Sequence, residues 1–126
     1  MSKQVIQSSE APKAIGPYSP GIKAGGLLFL SGQIPLDPVT GEIVGTDTAS
    51  QADRVLKNIV ALLKAEGKTT ADAVKTVIYL TDLADFAAVN EVYAKYFSEP
   101  YPARTTIQVA GLPRGARVEI DVTAIA

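Results

Sequence analysis

Residues 116–124 constrain this chain most. Val118, Ile120, Val122 and Ala124 alternate there with Arg117, Glu119, Asp121 and Thr123. Successive strand side chains point to opposite faces, so a period of two predicts a β-strand with one apolar face and one charged face. Residues 104–109 repeat the pattern, with Thr105, Ile107 and Val109 alternating with Arg104, Thr106 and Gln108. A chain with two such strands must cover one sheet face, and the reading places Arg104 and Glu119 together on the other. An arginine that clamps an anion and a carboxylate that moves a proton are a minimal set for chemistry on a small carboxylic acid.

The rest of the chain supplies the covering layer. Residues 8–21 carry Pro12, Gly16, Pro17, Pro20 and Gly21 around Tyr18, which predicts an irregular arm. Ile22 to Gln33 reads as strand, broken by a turn at Gly25-Gly26. Its stretch Leu27-Leu28-Phe29-Leu30 is apolar without alternation, as in a strand covered on both faces. Residues 37–41 form a turn, and Glu42-Ile43-Val44 a short return strand. A helix is predicted from Asp47-Thr48, with Thr48 and Gln51 at capping-box spacing. Ala52, Val55, Leu56, Ile59 and Leu63 make one apolar stripe, and Gly67 stops it. Val74 to Leu80 is a core strand. Asp85 caps a second helix whose stripe is Phe86, Val89, Tyr93, Tyr96 and Phe97, and Pro100 and Pro102 prevent its continuation. Right-handed crossovers place both helices on one face of a single mixed sheet, an α+β domain spanning residues 1–126. The opposite face has no cover within the chain, which predicts an oligomer.

Composition decides which chemistry is open. The 126 residues contain no Cys and no His. Thiol nucleophiles, imidazole bases and the usual zinc ligands are therefore excluded, and acid–base work falls to Asp, Glu, Lys or Tyr. The formal net charge is −1, which argues against a polyanionic partner. The start of the chain, Met1-Ser2-Lys3-Gln4, is followed by no apolar run. The expectation is a cytoplasmic protein with neither signal peptide nor membrane span.

Several segments, in order along nearly the whole chain, carry a family pattern. They are Ile15-Gly16-Pro17-Tyr18-Ser19, Ser31-Gly32-Gln33-Ile34-Pro35, Asp85-Phe86 through Val89-Asn90, Phe97, Pro102-Ala103-Arg104 and Arg117-Val118-Glu119-Ile120. Together they resemble the Rid, or YjgF-like, family of reactive-intermediate deaminases. The resemblance implies a chorismate-mutase-like fold and a homotrimer with sites in the clefts between subunits. It also implies cofactor-free hydrolysis of 2-imino or 2-enamino acids to 2-oxo acids and ammonia. Arg104 matches the family's carboxylate-binding arginine and Glu119 the acid that handles water. Tyr18, Ser31, Gly32 and Asn90 match pocket residues. Thr106 stands where many deaminase members have cysteine, and Thr105 where serine is commoner. Two other readings compete: a trimeric sensor that binds small carboxylates without turnover, and an RNA-binding or RNA-cleaving protein. A pure binder has no need of Glu119, and the chain lacks the basic patch with interleaved aromatics of an RNA protein.

Overall fold

The computed structural model describes residues 2–126 and begins its packing with one amphipathic helix, α1 (Thr48–Ala65). The predicted stripe of Ala52, Val55, Leu56, Ile59 and Leu63 is fully buried, each residue at 0% exposure. A buried Val, Leu or Ile is worth roughly 1.5–3 kcal/mol relative to an exposed one, so this stripe anchors the domain. The cap differs from expectation. Asp47 is the N-cap, and its carboxylate accepts from the Ser50 N–H at 2.7 Å. No Thr48–Gln51 box forms, because both side chains are buried and committed elsewhere. Thr48 donates to Asp85 at 2.6 Å, and Gln51 donates to the Gly45 carbonyl and accepts from the Arg117 N–H at 2.8 Å. Gly67, at φ 69°, ends the helix as predicted. The Lys68 N–H returns to the Leu63 carbonyl and the Gly67 N–H to that of Lys64, the paired closure of a Schellman motif.

The helix lies on a six-stranded sheet made of β1 (Gln4–Ile6), β2 (Gly21–Ala24), β3 (Leu27–Gln33), β4 (Ala73–Leu80), β5 (Ala103–Gln108) and β6 (Val118–Ile125). The spatial order is β1-β2-β3-β6-β4-β5. Only β4 and β5 run parallel; the other neighbours are antiparallel. β1 was not anticipated, since three residues carry no readable period. The β6 alternation holds: Val118, Ile120, Val122 and Ala124 are all buried under the helices. The second helix, α2 (Phe86–Tyr93), packs on the same face and is shorter than its stripe suggests. Tyr96 and Phe97 follow in a turn, where Phe97 is still buried and Tyr96 bonds to Asp53 at 2.6 Å. Burial, then that carboxylate, push the Tyr96 phenol up to about 12. Asp85 precedes α2 without capping it, its carboxylate being taken by Thr48.

Three further expectations need correction. Glu42–Val44 forms no strand, only a single bridge from Ile43 to Leu36, closed by bonds from the Asp37 N–H to the Glu42 carbonyl and from the Val44 N–H to that of Pro35. The run Leu27–Leu30 is covered on one face only: Leu28 and Leu30 are buried, while Phe29 is 45% exposed. The third correction concerns β5. Its register pairs Arg104 with Thr76, Thr106 with Ile78 and Gln108 with Leu80. Those β4 partners are buried beneath the helices, so Arg104 and Thr106 lie on the helix side and Ile107 lies on the open face. β5 is an edge strand with little over it, and alternation alone could not say which of its faces meets the core.

Candidate active site

The structure divides the predicted residues into two groups. Arg104, Asn90 and Thr106 belong to the helix side of the sheet edge. Glu119 projects from the open face, because its cross-strand partner is Tyr79 while its neighbours Val118 and Ile120 face the core. Within one chain the guanidinium and the carboxylate are therefore on opposite faces of the sheet.

Aromatic rings hold the arginine. The Arg104 Cζ lies 5.0 Å from the Tyr93 ring centroid and 5.6 Å from that of Phe86, within cation–π range of both. Tyr93 is itself fixed: its ring stacks on Phe97 at 4.3 Å between centroids, and its hydroxyl shares a 2.9 Å hydrogen bond with the buried Thr76 hydroxyl. Burial pushes the Tyr93 phenol up, against the opposing pull of the Thr76 bond and the Arg104 charge. Among the described residues the ion pairs are Lys23–Glu66, Lys57–Asp53, Lys64–Glu10 and Arg114–Glu42. None includes Arg104. Its planar donor fork instead borders a cavity of about 350 Å³ lined by Asn90, Tyr93, Ala94, Tyr101 and Pro102. Thr106 lies two residues along the same face, and its buried hydroxyl has no hydrogen-bond partner. It does not line the cavity.

The backbone places the carboxylate. β3 bulges between Leu30 and Gln33, where three residues of β3 span two of β6. The bulge brings Gly32 beneath Glu119. A Cβ added at Gly32 would lie 2.8 Å from the Glu119 carboxyl carbon, so any other residue there would displace the carboxylate from this position. Ser31 is tied to the arm: its hydroxyl donates to the Ser19 carbonyl at 2.6 Å and its N–H to that of Pro20 at 2.9 Å. Tyr18, Ser31 and Gly32 share a cavity of about 450 Å³ with Lys13, Ile15 and Pro113. Tyr18 is half-exposed and accepts a long bond, 3.4 Å, from the Ile15 N–H. It is a pocket wall rather than a buried plug. Half-buried Glu119 has its proton affinity raised, first by desolvation and then by the neighbouring Asp121. The entry to β6 is held by the Gln51 bond to the Arg117 N–H and by the Thr81 N–H bond to the Arg117 carbonyl.

Sequence reasoning missed the residues around these groups. Phe86 and Tyr93 stood in the predicted stripe of α2 as core, and their contact with Arg104 depends on the β4–β5 register. Tyr101 adjoins the Pro102-Ala103-Arg104 motif, which was a usable signal. Tyr79, whose hydroxyl donates to Asp121 at 2.9 Å, carried no signal in a strand already read as core.

A small α+β protein with an unpaired arginine at one sheet edge and a half-buried glutamate on the opposite face is thereby defined. The family described as endoribonuclease L-PSP matches residues 8–126, and the chain belongs to it, the YjgF/RutC or Rid family. It is 54% identical over 127 residues to protein DfrA of Myxococcus xanthus, covering 99% of this chain and 97% of that one. It is 44% identical over 123 residues to human 2-iminobutanoate/2-iminopropanoate deaminase, covering 98% and 90%. The crystal structure of Escherichia coli TdcF with bound serine superposes at TM-score 0.91 with 43% identity, over 98% of each chain. The chorismate-mutase-like fold expected from the sequence is the fold observed.

Proposed function

We propose that this protein hydrolyses 2-imino acids, and the 2-enamino acids in equilibrium with them, to 2-oxo acids and ammonia. 2-Aminoacrylate and 2-aminocrotonate are the representative substrates. The observation that carries the reading is Arg104: a guanidinium with no ion pair among the described residues, braced by two rings and facing a small cavity. Guanidinium matches a carboxylate with a two-pronged fork that lysine cannot reproduce. The names of relatives support the same substrate class. The human protein is named for imino-acid deamination, and TdcF is described with serine, an amino acid bearing the same carboxylate.

The opposite placement of Arg104 and Glu119 supports a site completed by a second copy of the chain. The open face that carries Glu119 also exposes Val5, Phe29, Ile107 and Ile125, each more than 40% accessible. Covering it in a cyclic homotrimer, with each interface above ~1,000 Å², would bury these groups. It would also bring the partner subunit's Arg104 toward Glu119. In this cytoplasmic assembly Tyr18, Ser31 and Gly32 form one wall, and Asn90 and Thr106 belong to the other.

The chemistry then needs only these groups. Protonation of the enamine carbon gives an iminium, already a good electrophile, so the step calls for no cofactor. Glu119 takes a proton from water as its oxygen bonds to the imine carbon. It returns that proton to nitrogen, and the C–N bond breaks. The adduct's hydroxyl becomes the carbonyl and its proton goes to solvent, replacing the solvent proton that formed the iminium, so ammonia and the 2-oxo acid are released. The raised proton affinity of Glu119 suits this exchange, and a carboxylate sensor has no need of such a group. A chain of net charge −1, with its arginine beside a small cavity, favours a small acid over RNA.

The test is to generate 2-aminoacrylate with a serine dehydratase and follow pyruvate and ammonia. Acceleration beyond the spontaneous rate is expected. Arg104→Lys should cut efficiency about 10- to 150-fold, the equivalent of roughly 1.5–3 kcal/mol for a charged hydrogen bond, with fold and assembly intact. A wild type that binds 2-oxo acids but never accelerates imine loss would establish a sensor instead.

A further inference from the structure

Glu119 does not stand alone on the open face. Asp121 projects from the same side of β6, two residues along. Tyr79, the direct cross-strand partner of Glu119, gives its hydroxyl not to Glu119 but diagonally to Asp121, at 2.9 Å. Tyr79 thus fixes one carboxylate and leaves the other without its bond. Among the described residues no salt bridge involves either carboxylate.

We propose that Asp121, anchored by the Tyr79 hydroxyl, is a positioning residue for Glu119: its fixed negative charge favours the protonated form of Glu119 and so sets the pH at which the site takes up and returns a proton. Two carboxylates on one strand face, half withdrawn from water, resist ionising together, and the one without a donor holds its proton longer. Desolvation and Asp121 both raise the Glu119 proton affinity, and burial followed by Asp121 raises that of the Tyr79 phenol.

Exposed Arg117 precedes Glu119 by two residues at the entry to β6, and the other groups around Glu119 are few. β4 brings Tyr79 and, further along the open face, Lys75, whose ammonium donates to Thr105 on β5 at 3.0 Å. β3 brings Phe29 and the Ser31-Gly32 bulge, none of them titratable. The arm brings Lys13 and Tyr18 to the cavity beside Gly32. In the proposed assembly the partner subunit's Arg104 joins them and acts in the opposite sense. All are common to the wild type and an Asp121 variant, so the difference between the two isolates Asp121. The use made of this proton rests on the deaminase reading; its measurement does not.

The experiment is a pH titration of carboxyl-labelled protein by carbon NMR, with the Glu119 resonance assigned from Glu119→Gln. Asp121→Asn keeps the shape and the Tyr79 contact while removing the charge. The Glu119 midpoint should move to lower pH, raising the ratio of ionised to neutral Glu119 on the acid side roughly two- to fivefold. The acid limb of kcat/KM for 2-aminoacrylate should move with it, a shift that a merely structural role would not produce. Asp121→Ser repeats the test should the asparagine variant fold poorly. A midpoint that stays in place, or rises, in the folded variant overturns the proposal. A wild type without turnover would remove the deaminase reading while the NMR titration still decides the role of Asp121.

Discussion

Arg104 and Glu119 sit two strands apart in one sheet and are held by opposite means. Side chains hold the arginine: two aromatic rings brace it, one pinned by Phe97 and Thr76. Among the described residues no carboxylate pairs with it. Backbone holds the glutamate: a bulge brings a residue without a Cβ beneath it. Its proton affinity rises because that seat withdraws it from water. In the proposed function the first group binds and the second reacts. The sheet lies between them, and the proposed assembly brings them together by pairing one copy's arginine with another's glutamate.

The largest way to break this comparison is at the reacting half. Glu119→Gln keeps size and hydrogen bonding but removes the base, and kcat should fall about 100-fold, within the range for general acid–base assistance. Pyruvate or 2-oxobutyrate should still bind, measured by calorimetry, because Arg104 is untouched. Unchanged turnover of 2-aminoacrylate would reduce Glu119 to a structural residue.

The binding half gives a smaller effect. Phe86 is partly exposed and can be removed without opening the core. Phe86→Ala should weaken 2-oxo acid binding about two- to fivefold, the worth of one exposed cation–π contact of roughly 0.5–1 kcal/mol. Its effect should fall on KM rather than kcat. Equal affinity would show that Tyr93 alone braces the guanidinium.

The smallest effect concerns stability. The folded protein binds the Glu119 proton more tightly than the unfolded chain does. That contribution is complete below the ordinary glutamate value and is lost as pH rises through the folded one. Glu119→Gln should therefore melt higher than wild type near pH 7, by roughly 1 °C, with the gap closing below about pH 4. A gap that widens in acid would mean the folded state lowers the Glu119 proton affinity.

Much of this was legible in residue patterns. The stripe of α1, the alternation of β6 and the turn at Gly25-Gly26 each follow from a local period or a glycine. Arg104 and Glu119 were legible too, singled out by the strand alternations and by the family pattern. Their relation was not. Arg104 alternates with Ile107 as Glu119 does with Ile120, but β5 lies at an edge with little over it, and the apolar member of its pattern turned outward. Edge strands are weakly constrained by burial, so the parallel register with β4 decided the face. Capping failed for a similar reason. Thr48 and Asp85 had suitable spacing for separate helix starts, yet buried Thr48 and half-buried Asp85 bond to each other across 37 residues.

The central claim is that each site takes its arginine from one copy and its glutamate from another. Arg104→Lys and Glu119→Gln chains, each nearly inactive alone, can be unfolded, mixed in equal amounts and refolded together. In any cyclic assembly a random mixture gives about one quarter of its sites both native groups. The account predicts recovery of about a quarter of wild-type deaminase activity on 2-aminoacrylate in the mixed sample, and none when the variants are refolded apart and then combined without exchange. A co-refolded mixture no more active than its separate parts would place both groups in a site within one chain and contradict it.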